Sequence, residues 1–406
     1  MAINRRNVIA VAATVAVLYV LADGGYRIYQ HRELERDALR HMAYNFSSVE
    51  APLYALDEGV GYSYRANLRL HFRLYDRQGN LVRENQLVSN NFGHLELEDD
   101  SLEKPDSEFR IAVLADSFAA TTTSDVTWPT YLQQELNRDP KVKTITGKSA
   151  FKVINFGLDG TGFIQWPGLY EKRAKSFRPD LVIVSFIGND IYRRWIYRDT
   201  INIGNQDQVM ITCTSLPVAI ENADCLNAYS FVVDPNKSDY RQQTARIRRE
   251  LFERTVERMP WTSPAPELLL LLFNGRWGIQ PRLMFPDRSM SYFTSSQEAL
   301  SVSQKALRNI TSQQPAIIIL YHPTIEECLT NEPPPAVREM MKRERSIENM
   351  LEFLPLASGP KEIQKWYNLP YDSHPSDYGA QVYARAVKGR VAQHLSTSRL
   401  SARVAP

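Results

Sequence analysis

The chain has little cysteine: Cys213, Cys225 and Cys328 are the only three in 406 residues. That is too few for a disulfide scaffold, and no CxxC pair or Cys/His cluster suggests a metal site. Cys213 and Cys225 lie close in sequence and form a candidate disulfide in an oxidising compartment; three unpaired thiols are the alternative. Charge of one sign is missing as well. Lys and Arg number 48 against 46 Asp and Glu, a formal net charge of +2. The arginine-rich stretch from Arg241 to Arg258 alternates with glutamates, as a solvated helix face does. No basic block interleaves with aromatics, which argues against a nucleic-acid partner. There is no internal repeat and no low-complexity segment. What remains is an ordinary globular composition, 43% hydrophobic, long enough for one large domain or two modest ones.

Long apolar runs are scarce too, and the N-terminal one is short. Arg5 and Arg6 precede VIAVAATVAVLYVLA, from Val8 to Ala22. Its length falls below the roughly 20 residues that cross a bilayer as a straight helix. A signal anchor over 1–29 is expected if the helix continues through Gly24 and Gly25, with Tyr26 and Tyr29 at the interface. A cleaved signal peptide ending at Val20-Leu21-Ala22 is the alternative; a core helix is a third. Both export readings place the rest outside the cytoplasm, in the periplasm or secreted, with the membrane as partner. Residues 30–105 read as a polar helix followed by a hairpin, NLRLHFRLYD and LVRENQLVSN around Gly79-Asn80.

From about 106 to 396 the rhythm changes. FRIAVLA, FKVINF, DLVIVSFI and AIIILYHP are apolar runs without alternation, as buried parallel strands show. Helical segments around TWPTYLQQEL and GLYEKRAKSF separate the first three, and a last helix is expected from Ser376 to His394. The pattern predicts an α/β fold, a three-layer sandwich with a central parallel sheet. The interval from Ile191 to Thr311 breaks that rhythm and reads as an insertion, its ELLLLLF run more core-like than membrane-contacting.

Ligands of such sheets bind at the carboxyl ends of the strands. Ser117 follows the first strand, Gly157, Gly160 and Gly162 the second, and Asn189 the third; Asp372 and His374 precede the last helix. A serine hydroxyl needs a base to take its proton, which His374 offers with Asp372 to orient it. The oxyanion that follows needs donors without competing charge, which the Gly157 N–H group and the Asn189 carboxamide provide. Blander roles compete. Ser117 is also a plausible helix N-cap, the glycines a turn or dinucleotide loop (though GxxGxG is not GxGxxG), and Asn189 an Asx turn. Asp190 reads as structural. His322, before a proline at a strand end, is the rival base.

ADSF, NFGLDGTG, IGND and DSHP resemble the four blocks of the GDSL/SGNH hydrolases, in that family's order. The resemblance covers about Phe109 to Ala392 except the Ile191–Thr311 interval. It implies a flavodoxin-like SGNH fold, Ser117 as nucleophile, His374 as base, and Ser117 N–H, Gly157 and Asn189 as oxyanion hole. It implies no cofactor. Tyr62 to Gly93, with SNNFG, is similar to what precedes this domain in membrane-anchored bacterial members. Ala115 stands where the family usually has glycine, and one residue rather than two separates Asp372 from His374. The expected function is an extracytoplasmic serine esterase acting on an acyl ester of a carbohydrate or lipid. A polysaccharide O-acyltransferase with the same triad is an alternative. So is a metallophosphoesterase using Asp116, Asn189, Asp190, Asp372 and His374, or a catalytically silent polysaccharide-binding module.

Overall fold

The buried apolar runs become the strands of a parallel sheet in a computed structural model that describes residues 13–15, 17–25, 46–75, 80–120, 123–203, 207–213, 227–232, 242, 246, 295–314, 316–370 and 372–404. In chain order the strands are β1 (Phe46–Val49), β2 (Tyr54–Asp57), β3 (Gly61–Tyr64), β4 (Arg69–Tyr75), β5 (Leu81–Val88), β6 (Glu108–Ala115), β7 (Ala150–Asn155) and β8 (Leu181–Phe186). They continue as β9 (Tyr197–Ile203), β10 (Asp207–Cys213), β11 (Asn227–Val232), β12 (Ile317–Tyr321) and β13 (Ile347–Asn349). The helices that matter here are α1 (Trp128–Asn137), α2 (Trp166–Lys172), α3 (Ser296–Gln313) and α4 (Asp377–Val404).

The central sheet runs β13-β12-β8-β6-β7, every pairing parallel. The chain leaves β6 toward β7, then returns past β6 to β8 and continues through β12 to β13. Right-handed crossovers therefore put the helix after β6 on one face and those flanking β8 on the other. The packing agrees: α1 lies against α4, and α2 against α3. Order reverses between β6 and β8, so the loops leaving those two strands flank a crevice at their carboxyl ends.

Sequence chemistry explains the layers. Leu181 to Phe186 is buried throughout, because both faces of β8 are covered. Trp128, Leu132 and Leu136 recur at helical spacing on α1, which has a proline in its first turn. Removing one such buried leucine side chain costs roughly 2–5 kcal/mol. The outward N–H groups of edge strand β7 are all met by side chains: Phe151 by Asn137, Val153 by Gln133 and Asn155 by Glu96. An edge closed in this way offers no template for a further strand.

The interval from 191 to 311 does not stand alone. β9, β10 and β11 join β1, β4 and β5 in a second sheet, ordered β5-β4-β1-β11-β10-β9. The expected hairpin is β4–β5, pairing Arg69 with Val88 through Tyr75 with Leu81; its turn at 77–79 lies outside the described residues. So do the helix expected over 30–44, the ELLLLLF run and nearly all of the arginine-rich stretch.

Among the described residues no helix is long and apolar enough to cross a membrane. The span expected at 1–29 is described in part, as helix at 13–15 and 17–25. The rest of that span lies outside the described residues. Val17, Leu18, Val20 and Leu21 are all more than half exposed, which removes the core-helix alternative. Cys213 is disulfide-bonded and Cys328 is free and buried; Cys225 lies outside the described residues.

Candidate active site

β6 ends at Ala115, and the chain turns at once so that the N–H of Phe118 donates to Asp116 Oδ1 at 2.9 Å. That turn leaves Ser117 at the strand's carboxyl end. On the opposite side, the loop before α4 is folded by its own backbone: Asn368 N–H donates to the His374 carbonyl, and Asp372 N–H to that of Asn368. The two loops meet. His374 Nε2 lies 2.8 Å from Ser117 Oγ, and His374 Nδ1 lies 2.6 Å from Asp372 Oδ1. The carboxylate fixes the tautomer: Nδ1 carries the proton, and Nε2 accepts from the serine hydroxyl. A longer contact from Ser117 Oγ to Asp116 Oδ2, at 3.4 Å, is at the limit of hydrogen bonding.

The short Asp372-x-His374 spacing closes locally, because Asp372 Oδ1 also accepts from the His374 backbone N–H at 3.3 Å. Thr123 donates its hydroxyl to Asp372 Oδ2. Burial alone would raise the Asp372 pKa, but the His374 ring and the Thr123 hydroxyl hold it below the usual carboxylate range. Burial likewise opposes an imidazolium at His374. The Asp372 charge outweighs it, with smaller help from Asp116 and Asp159, so the ring's pKa stands above its ordinary value.

The donors expected for an oxyanion fare differently. Asn189 sits in a 3₁₀ turn directly after β8 and is exposed; its carboxamide bonds to no protein group among the described residues. The Ser117 N–H is uncommitted in the same sense. Gly157 is not. Its N–H donates to Asn155 Oδ1 at 2.9 Å, while Asn155 Nδ2 donates to the Ala119 carbonyl at 2.7 Å. Asn155 thus turns back from the end of β7 and uses the glycine to tie two loops together. Of the residues expected at the site, Gly157 is the one whose donor is already spent.

The other glycines answer the turn-or-nucleotide question sterically. Gly160 has φ +79°, a conformation that side chains rarely adopt. A Cβ on Gly162 would lie 2.6 Å from the Asp190 carbonyl oxygen. Both serve close packing. Asp159, just before Gly160, is buried, accepts from Tyr54 on β2 and pairs with Arg198 on β9, whose guanidinium also lies over the Tyr54 and Tyr62 rings.

His322 does not act as a rival base. Its ring is 1% exposed, packs on Tyr383 and Phe118, and burial lowers its pKa to about 3. Asp190 accepts from the Ile187 N–H at 2.9 Å and pairs with Arg193, which also pairs with Asp116. With these two carboxylates on Arg193 and Asp372 on His374, the acids are not gathered as metal ligands. Among the described residues no three His, Cys, Asp or Glu side chains form a group able to hold a metal ion.

Thr123, Asn368 and Arg193 were not singled out from the sequence. Thr123 reaches Asp372 from 249 positions away, and Asn368 bonds to the Pro375 carbonyl and the Ser124 hydroxyl. No local spacing marks such partners.

No protein-family model matches this chain, and no curated protein does. Several solved structures are similar to it at low identity. A lipase/acylhydrolase from Enterococcus faecalis is similar at 10% identity and a TM-score of 0.34, over 70% of this chain and 96% of its own. A protein from Parabacteroides merdae assigned as a GDSL-like lipase is similar at 10% identity and a TM-score of 0.34, over 73% and 99%. A catalytic mutant of an acetylxylan esterase from Geobacillus stearothermophilus is similar at 11% identity and a TM-score of 0.32, over 70% and 94%.

Proposed function

We propose that this chain is a serine esterase of the SGNH type that cleaves an acyl ester of a carbohydrate or lipid outside the cytoplasm. One observation carries the reading: the continuous relay from Asp372 through His374 to Ser117, at 2.6 and 2.8 Å. Ser117 Oγ attacks the ester carbonyl carbon as its proton passes to His374 Nε2. The carbonyl oxygen becomes an anion, held by the Ser117 N–H and the Asn189 carboxamide. Collapse breaks the bond to the alcohol, which leaves with the proton from His374. Water then gives its proton to His374 and attacks the acyl-serine; the acid departs and Ser117 regains its hydrogen. A hydroxyl of a second sugar in place of that water would make the same steps an acyl transfer. Gly157 joins the donors only by releasing Asn155.

The disulfide at Cys213 supports an oxidising compartment, as does the Arg5-Arg6 flank of the apolar N-terminal run. Protease added to intact spheroplasts should digest the domain; protection would count against export. The activity is tested by aryl-ester hydrolysis with the purified chain and its Ser117→Ala variant. Turnover that survives Ser117→Ala would contradict the reading.

A further inference from the structure

A single buried side chain joins three loops at the site. Arg193 is 8% exposed, and its Nη1 lies 3.0 Å from Asp116 Oδ2, 2.8 Å from Asp190 Oδ1 and 2.6 Å from the Thr161 carbonyl oxygen. The partners stand beside the groups that the reaction uses. Asp116 precedes Ser117, Asp190 follows Asn189, and Thr161 belongs to the glycine loop after β7. The fit leaves no slack, since a Cβ on Gly162 would come within 2.9 Å of Arg193 Cβ.

We propose that Arg193 is the positioning residue of this site, holding the Ser117 N–H and the Asn189 carboxamide on one common oxyanion position. The proposal rests on the acyl-serine reading above. Stability alone explains the arrangement poorly. Asp116 and Asp190 are both fully buried, and two carboxylates on one guanidinium pay a desolvation cost that apolar residues would avoid. Burial and the neighbouring Asp116 charge push Asp190 well above the usual carboxylate range. What the arrangement does supply is geometry: one buried nitrogen, Arg193 Nη1, stands within 3.0 Å of an oxygen from each of the three loops, a point that a lysine ammonium on its different stem does not reproduce. It reaches the chemistry only through backbone: Asp190 also receives the Ile187 N–H, which braces the turn that carries Asn189.

The test uses the full chain with Arg193→Lys and Arg193→Met, each with and without Asn189→Ala. Aryl-ester kcat and KM, melting temperature and the rate of Ser117 labelling by a phosphonate are measured on all. Arg193→Lys should stay folded and lose about 10- to 100-fold in kcat with KM nearly constant, as a displaced donor predicts. In the native background Asn189→Ala should cost about 100- to 1000-fold. In either Arg193 background it should cost less than about tenfold, because the donor is already out of place. If the methionine variant does not fold, the lysine pair carries the comparison. An Asn189→Ala loss of the same factor in every background would overturn the proposal, as would a folded Arg193→Lys with native kcat. Failure of the underlying reading looks different: native protein that no phosphonate labels, or an Asn189→Ala change without effect on native kcat.

Discussion

Two buried charge clusters lie at opposite sides of β7's carboxyl end, and they differ in what they leave open. On the site side, Asp116, Asp190 and Arg193 sit beside a partly buried Asp372–His374–Ser117 relay and an exposed Asn189. On the edge side, Lys152 lies 2.9 Å from Asp100 and 3.5 Å from Glu96, and Asp100 bonds to the His94 ring at 2.6 Å. Both hold perturbed acids. Burial, joined by the nearby Asp100 charge, raises Glu96 to about 8 against the pull of Lys152. Yet the edge cluster closes on itself: Glu96 receives the Asn155 N–H, and Asn90 binds Asp100. Even its acid–base pair, His94 and Asp100, is sealed among Phe92, Phe156 and Phe177. A shifted pKa marks a buried charge. A site needs, in addition, a nucleophile within reach of the base and a donor without a partner.

Breaking the relay should have the largest effect. Ser117→Ala and His374→Ala should each lower kcat by about 10⁵- to 10⁶-fold at unchanged melting temperature. Less than a hundredfold loss in a folded variant would count against the assignment. Asp372→Asn should cost about 100- to 10,000-fold and move the pH profile. His374 works as a base when neutral, so kcat/KM falls as pH drops through its pKa, which Asp372 holds above the ordinary 6.5. Removing the carboxylate lowers that pKa, so the acid limb should move to lower pH. A limb that stays in place would assign it to another group. Asn189→Ala should follow, with its loss in kcat rather than KM; a destabilised protein with native kcat would reduce Asn189 to a turn residue.

The edge cluster should answer on stability alone. Glu96 stays protonated when folded up to about 8 but ionises near 4.5 once unfolded. It therefore costs stability progressively as pH rises from about 4.5 to 8. Glu96→Gln keeps an acceptor for the Asn155 N–H and removes that cost. The melting temperature should rise at pH 8 by about 2–4 °C, hardly change at pH 4, and leave kcat as it was. A fall at pH 8 would show that the ionised carboxylate contributes through Lys152.

The parallel strands were legible because full burial leaves runs without alternation. Ser117 and Asn189 stood out as candidates because such strands end where ligands bind, and His374 because it precedes the last helix beside Asp372. β13, at three residues, and the four-residue β2 and β3 carried too little pattern to be read. The second sheet was hidden for another reason. Its pairing of β1 with β11 joins segments about 180 residues apart, and no local signal encodes that. Gly157 shows a further limit, since a glycine at the right place in a motif says nothing about where its N–H points. Arg193 looks like any other arginine until the fold brings Asp116 and Asp190 to it.

The most direct test of the central claim is mass detection of the adduct formed by an alkyl phosphonate on the intact chain. One equivalent should attach to the peptide containing Ser117, abolish ester hydrolysis in proportion, and be absent from Ser117→Ala. Labelling should slow in His374→Ala, where no base remains to take the serine proton. Hydrolysis that continues with Ser117 fully modified, or an adduct on a different residue, would contradict it.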